Sequence, residues 1–476
     1  MCEATKLCAL PPEMLCHIGD YLAPSDLLAL SATCHHLRTI FNTNTLWRQF
    51  TDRTFLSKTL NSINSMVPPK YAELQSTSLE PLCEQRVAFL KQSRLLSNIR
   101  HENFVRHTTS CDGFLSDFET QNSLNGRQIT YNGIYLFVLD YSADYALNEV
   151  VKVFNIEEAP YLISTLKLEN LRDGDYDLVI WIQVVGNKLV VCKDYRFYIY
   201  QIQVPATECP VLYLIHVNES VSFQLNRSIV IGHSLFIENR STNTIQVWNI
   251  DDGKQLDNIC PRIEGPHFKI LGFSKDFKYV MLSTGILYNK PHVFVYDVEL
   301  MQFTPFDPML NEIRMETYGF MDMDMDLVVL LSVEEVLTCS IFVYCYDTSV
   351  LLTSCRNIEA TSFDRSCIIN NFFVLPTSVS LKVINLTTLD ITWELNIHSV
   401  VADGIPENQL LGVEYFNITK IHHIVVVRKT TGAEMWDFEK RRKLMDLPQN
   451  GSITMNDTKS KLIVCDDGSL SVFTFW

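Results

Sequence analysis

The chain reads as a small α-helical unit with a helical connector, followed by one large all-β domain of repeated sheets closed into a ring, a β-propeller. Three observations lead there. The first fifty residues carry apolar side chains at three- and four-residue steps, the spacing of amphipathic helices. After His101 the apolar residues alternate instead, in short β-branched and aromatic runs separated by turn residues. One alternating pattern then returns eight times, with starts 38 to 52 residues apart, close to the roughly 40–45 residues of a propeller blade.

The helical unit is built from very short elements. Pro11-Pro12 opens the first, because proline at a helix start loses no hydrogen bond and presets φ. Leu15, Ile18 and Leu22 give it one apolar face before Pro24 ends it. Ser25 is the expected N-cap of a second helix bearing Leu27, Leu28 and Leu30. Cys34, Leu37, Ile40 and Phe41 mark a third, and Asn44 or Thr45 caps a last turn with Leu46, Trp47 and Phe50. About 40 residues bury too little surface to be robust alone. Each Leu or Ile kept for a partner would contribute about 1.5–3 kcal/mol on full burial, so the unit is expected to be completed by another protein.

Leu10-Pro11-x-Glu13-x-Leu15-x-x-Ile18-x-x-Tyr21-Leu22, Ser25-Asp26-Leu27-Leu28-x-Leu30-Ser31, Cys34-x-x-Leu37-Arg38 and Leu46-Trp47-Arg48 resemble the F-box motif in order and spacing. The resemblance implies a substrate receptor of an SCF-type ubiquitin ligase, with the F-box docked on a helical Skp-type adaptor and linked through it to the cullin and RING core. It implies adaptor docking, or shaping of the docking surface, for Leu10, Pro11, Leu15, Ile18, Leu22, Leu27, Leu30 and Leu37. Gly19 and His36 depart from the pattern, and Gly19 inside a helix costs about 1 kcal/mol against Ala.

Composition narrows the function. At 476 residues the chain is long enough for about two to three domains, with 47% hydrophobic residues to fill their cores. Its 39 basic and 55 acidic residues give a net charge of −16, which argues against nucleic acid as a partner. Fourteen cysteines are spread singly along the chain, mostly inside apolar runs, as reduced thiols are in a cytosolic or nuclear protein. The first residues carry no secretory pattern, and no apolar run is long enough for a membrane span.

The expected domains are residues 8–50, a connector over 51–101 and the propeller over 102–476. Pro68-Pro69 breaks the connector, and Leu82, Phe89 and Leu96, flanked by Leu90 and Ile99, predict a helix from about Leu79 that packs on a neighbouring domain. The recurring β pattern starts at Val151, Phe197, Ile245, Val293, Ile341, Leu381, Ala433 and Ser471. These segments resemble the third strand of a WD-repeat blade, though only Trp436-Asp437 reproduces the dipeptide and Trp248-Asn249 approaches it. Eight blades are expected, with a seven-bladed ring carrying one insertion as the alternative. If the last unit stops at its third strand, its outer edge is bare; a strand near Asn103-Phe104-Val105-Arg106 is the expected clasp.

Other motifs carry less. Met321-Asp322-Met323-Asp324-Met325-Asp326 lacks the glycine and glutamate of a calcium loop and reads as a strand with one acidic face. Asp173-Gly174-Asp175-Tyr176-Asp177 reads as a turn. Cys16-His17 with Cys34-His35-His36 lacks zinc spacing, so no metal is expected. Of His422-His423, one imidazole is expected at the core rim and one in solvent. No nucleophile elbow, phosphate loop, metalloprotease helix or dinucleotide fingerprint occurs, so neither an enzyme nor a cofactor is expected. Lys440-Arg441-Arg442-Lys443 falls in a third-to-fourth-strand turn, as a solvated run or a nuclear-import patch.

In the WD-repeat resemblance the second-to-third-strand turns open on the ligand-binding face. Here they hold Lys193, Arg196, Arg240, Lys290, Arg428 and Lys429, which predicts recognition of an acidic or phosphorylated protein substrate; independent solvated charges are the plainer alternative. An F-box and propeller scaffold that builds no ligase, and a propeller hydrolase, are the other functional readings.

Overall fold

The computed structural model describes residues 7–51, 82–111 and most of the strands and tight turns between 129 and 475. The expectations for 173–177, Met323–Met325, Arg240, Lys290 and His422 concern positions outside the described residues.

Among the described residues, four short helices come first: α1 (Pro12–Gly19), α2 (Pro24–Ser31), α3 (His35–Phe41) and α4 (Asn44–Arg48). Proline sits in the first turn of both α1 and α2. The N-cap of α2 is therefore Ala23 and not the expected Ser25, because Pro24 with its preset φ already occupies the first helical position. Leu15, Leu27, Leu37, Phe41, Leu46 and Trp47 close the core of this unit. Trp47 is fully buried and its indole N–H donates to the Phe41 carbonyl at 2.7 Å. Gly19 is the last residue of α1, and a Cβ there would meet Leu46 Cδ2 at 3.1 Å and Phe41 Cε1 at 3.2 Å. The small residue lets α1 lie against the Leu46 and Phe41 side chains, which offsets its helix penalty.

The connector helix α5 (Glu84–Arg100) starts later than Leu79, so Leu82 lies outside it. It belongs to two cores at once. Near its start, Phe89 packs on Trp47 at 5.2 Å between ring centroids, and the Arg86 guanidinium lies over Trp47 and donates to Ser31 Oγ at 2.8 Å. Asn42 and Asn44 side chains accept the Cys83 and Gln85 N–H groups, two of the unpaired donors at the helix start. Near its end, Leu95, Leu96 and Ile99 join the core between the last two sheets of the β domain. Arg100 Nε meets Asp437 Oδ2 at 2.6 Å, with the Asp437 side chain fully buried. Asn98 donates to the Phe475 carbonyl, and Arg442 to the carbonyl of Arg100.

The β domain is a ring of eight four-stranded antiparallel sheets. Each of the eight recurring segments is the third strand of its sheet, from β4 (Val150–Asn155) in blade 1 to β32 (Gly468–Thr474) in blade 8. Alternation serves two cores rather than one core and solvent. In β27 (His423–Lys429), Ile424 and Val426 face blade 8 while Val425 and Val427 face blade 6. A strand covered on both faces reads as a nearly continuous apolar run. Blade 8 and blade 1 share such a core as well, with Ile463, Leu470 and Val472 against Ile129, Leu136 and Phe154, so the ring is shut.

The closing strand is β1 (Val105–Cys111). It pairs antiparallel with β32 in the register Val105 to Thr474 through Cys111 to Gly468, supplying the fourth strand of blade 8. Arg106 covers the Phe473 ring at 5.3 Å, and Phe104 packs edge-on against Phe473 and Phe475. The acidic alternation at 321–326 is not a single strand. β18 (Glu316–Asp322) ends at Asp322, β19 begins at Leu327, and Asp326 is a turn residue with φ +54° that accepts from the Asp347 N–H and Cys345 Sγ. Met321 is buried in the core between blades 4 and 5.

Two outcomes follow from the seam. Deleting residues 105–111 strips β32 of its outer partner and leaves it paired with Lys461–Asp466 alone, and the domain is expected to lose its cooperative thermal transition in circular dichroism. Arg100→Met leaves Asp437 buried and short of its cationic partner, at a cost of about 3 kcal/mol read as a shift in denaturant midpoint.

Candidate functional site

Two surfaces deserve consideration, one at each end of the molecule. On α1, Leu15 and Gly19 point inward and are buried. The other face carries Pro11, Met14, Ile18 and Tyr21, at steps of three, four and three residues, which align on one side of a helix. Met14 is 52% exposed and Tyr21 79%, with the His17 ring edge-on to Tyr21 at 5.2 Å. At about 100° per residue the two apolar stripes lie roughly a quarter-turn apart, and this short helix buries only the Leu15 and Gly19 stripe within its own fold.

The eight N-terminal residues singled out from the sequence divide accordingly. Leu15, Leu27 and Leu37 are sealed in the core and have no surface to offer a partner; direct docking is closed to them. Leu10, Leu22 and Leu30 are half-buried and lean on that core. Pro11 is exposed, and Ile18 is half-buried on the outer face. Met14 belongs to this face too, beyond the eight residues that the F-box motif points to. The signal for it was present, since Pro11, Met14, Ile18 and Tyr21 form a second apolar stripe beside the one that fills the core.

The second surface lies at the opposite end of the propeller. A third strand runs from the second-to-third-strand turn to the third-to-fourth-strand turn. In blade 7, β28 (Gly432–Asp437) starts beside Lys429 and Arg428 and ends at Asp437, where Arg100 of α5 is held. Six residues of strand span about 20 Å. The turn carrying Arg428 and Lys429 thus opens away from the helical unit, and the Lys440–Lys443 turn lies on the same side as α5.

The described cations of the far end come from two blades. Arg196 stands before β8 (Phe197–Gln203) in blade 2, three blades round the ring from blade 7. Lys193 ends β7 (Lys188–Lys193) in the same turn as Arg196. Lys429 is already engaged, with Nζ 2.8 Å from Glu434 Oε2, while Lys443 Nζ lies 3.0 Å from Glu434 Oε1. Burial pushes the Glu434 carboxyl up, but hydrogen bonds from Lys429 and Lys443 outweigh it and hold the group below the ordinary carboxylate range. In the Lys440–Lys443 run, Arg441 donates to the Thr392 carbonyl of blade 6, Arg442 reaches α5 and Lys443 joins Glu434, so three of the four side chains serve the fold. His423 is buried, with Nδ1 2.8 Å from Glu439 Oε1. Among the described residues, no group of three His, Cys, Asp or Glu side chains is placed to hold a metal ion, and no helix is long and apolar enough to cross a membrane.

With this geometry in view, residues 7–53 match the F-box-like family model. The helical unit is an F-box-like domain. It is followed in the same chain by an eight-bladed propeller. No curated protein matches the chain. Among solved structures, BamB from Moraxella catarrhalis is similar at 10% identity, covering 78% of this chain and 99% of its own, with a TM-score of 0.46.

The division of the F-box leucines is testable. Leu27→Ala is expected to destabilise the F-box by about 2–5 kcal/mol, against less than about 0.5 kcal/mol for Tyr21→Ala, as read by limited proteolysis of the F-box segment. Glu434 has its own signature. Because its pKa is depressed in the fold, its contribution is present above the unfolded carboxylate value of about 4.3 and is lost as pH falls through the folded value. Glu434→Gln is expected to flatten the fall in thermal stability below about pH 5.

Proposed function

We propose that this chain is the substrate-recognition subunit of an SCF-type E3 ubiquitin ligase, a non-catalytic receptor whose F-box docks on a Skp-type adaptor and whose propeller holds a protein substrate. The observation that carries the reading is the outer face of α1, where an F-box-like domain leaves Met14 and Tyr21 exposed and Ile18 half-buried while its core is packed. A helical adaptor would bury that stripe. We assign direct contact to Pro11, Met14, Ile18 and Tyr21, with Leu10, Leu22 and Leu30 at its edge and Leu15, Leu27 and Leu37 shaping it from beneath.

The connector supports the same reading. Seventeen residues of α5 extend about 25 Å, rooted in both cores. A substrate held on the far face of the propeller would then stay at a set distance from the ligase core. The rate gain in such a complex is effective concentration, supplied by geometry and not by side-chain chemistry. For the substrate face we assign Arg196 and Arg428, with Lys193 beside the first, to acidic or phosphorylated segments. Lys429 contributes less, since Glu434 already neutralises it.

The test is co-purification of the full chain with adaptor and cullin. Ile18→Asp with Tyr21→Asp is expected to weaken adaptor binding at least about a hundredfold, from two lost contacts of about 1.5 kcal/mol or more each, with the circular dichroism melt retained. Adaptor captured without cullin would make the chain an F-box scaffold outside a ligase, and unchanged adaptor binding would remove the reading altogether. Charge reversal at Arg196 and Arg428 is expected to drop acidic substrates while adaptor capture stays intact.

A further inference from the structure

The F-box holds a feature that adaptor docking does not use. Cys8 Sγ and Cys34 Sγ lie 3.6 Å apart, Cys34 exposed and Cys8 half-buried, both free thiols. They are 26 positions apart in the chain and come from separate local structures. Cys8 sits in the turn closed by the Leu10 N–H on the Leu7 carbonyl, directly ahead of Leu10-Pro11. Cys34 is the N-cap residue of α3 in extended conformation. A disulfide bond is about 2.05 Å long, so the two sulfurs are about 1.5 Å short of bonding distance, a gap that side-chain rotation can close.

The two thiols differ chemically. Cys34 is lowered from the usual thiol range, first by the Leu37 backbone N–H, with burial opposing and further hydrogen bonds from Cys8, Thr33 and His36 helping. Cys8 is raised, first by its hydrogen bond to Cys34 and then by burial. One sulfur is disposed to ionise beside another that keeps its proton. Elsewhere burial acts against ionisation, as at Cys16, Cys83 and the fully enclosed Cys192. Thiolate character with exposure is what selects a cysteine for oxidation.

We infer that Cys8 and Cys34 form a reversible dithiol–disulfide clasp across the F-box, closed by a hydroperoxide and reopened by a thiol reductant. In the first step the Cys34 thiolate attacks a peroxide oxygen. The S–O bond forms as the O–O bond breaks, sulfur is oxidised to sulfenic acid, and the leaving hydroxide or alkoxide takes a proton. Cys8 sulfur then attacks Cys34 sulfur. The S–S bond forms, the S–O bond breaks, and the Cys8 proton leaves with the oxygen as water. The net change is loss of two hydrogens from the protein for each hydroperoxide reduced. Because the sulfurs already face each other, closure ties the segment ahead of Leu10-Pro11 to the start of α3 with little movement of the α1 face. The clasp therefore protects the F-box from unfolding and leaves its docking stripe in place.

The test uses full-length reduced protein treated with stoichiometric hydrogen peroxide, followed by peptide mapping without reductant. The expected product is a Cys8–Cys34 linked peptide that dithiothreitol reverses, with slower protease cleavage within residues 7–51. Cys8→Ser is expected to leave a sulfenic acid on Cys34 that a dimedone probe traps, and Cys34→Ser to abolish both products. Wild-type protein in which Cys34 is oxidised but unlinked, or in which another pair links first, overturns the proposal. None of these readouts needs the adaptor, so the clasp and the ligase assignment stand or fall separately.

Discussion

An eight-sheet ring made from one chain has a single seam, and the hydrogen bonds between β1 and β32 close it. Without β1, the outer edge of blade 8 would present a row of unpaired backbone groups. With it, the two ends of the β domain are held in one sheet, and every inter-blade core, including that between blades 8 and 1, is packed on both sides. The arrangement makes stability a property of the whole ring, since no blade covers both of its own faces.

The same seam anchors the N-terminal module. α5 ends where β1 begins, and its last turns lie in the core of blades 7 and 8, with Arg100 on the buried Asp437 carboxylate. The first turns of that helix complete the F-box core through Phe89 and Arg86. A small helical module that would be marginal alone thus borrows a helix from the connector. What it leaves uncovered is a narrow stripe on α1, not its core.

The Lys429, Glu434 and Lys443 ladder shows how charges noticed one at a time become something else in a sheet. The three residues lie on three adjacent strands of blade 7 as diagonal neighbours, and opposite charges placed there neutralise one another. Of the cations on the far face, Arg196 belongs to blade 2 and Arg428 to blade 7.

Much of the architecture was legible in the residues because it rests on local periodicity. Eight returns of an alternating run, ending in an aromatic or polar residue, placed the third strand of every blade, and a last unit lacking an outer strand called for a clasp from residues near 103–106. Spacing also found the inward leucines of the F-box. It could not separate a leucine that fills the core from one that faces out, because Leu15 and Ile18 both fit a helical step and only packing against Phe41, Leu46 and Trp47 decides which is sealed. Nor could it show that Met321–Asp326 turns a corner, that Gly19 is required by close approach to Leu46 and Phe41, or that Cys8 faces Cys34. Those depend on contacts between segments far apart in the chain, and such contacts exist only once the helices and sheets have been brought together.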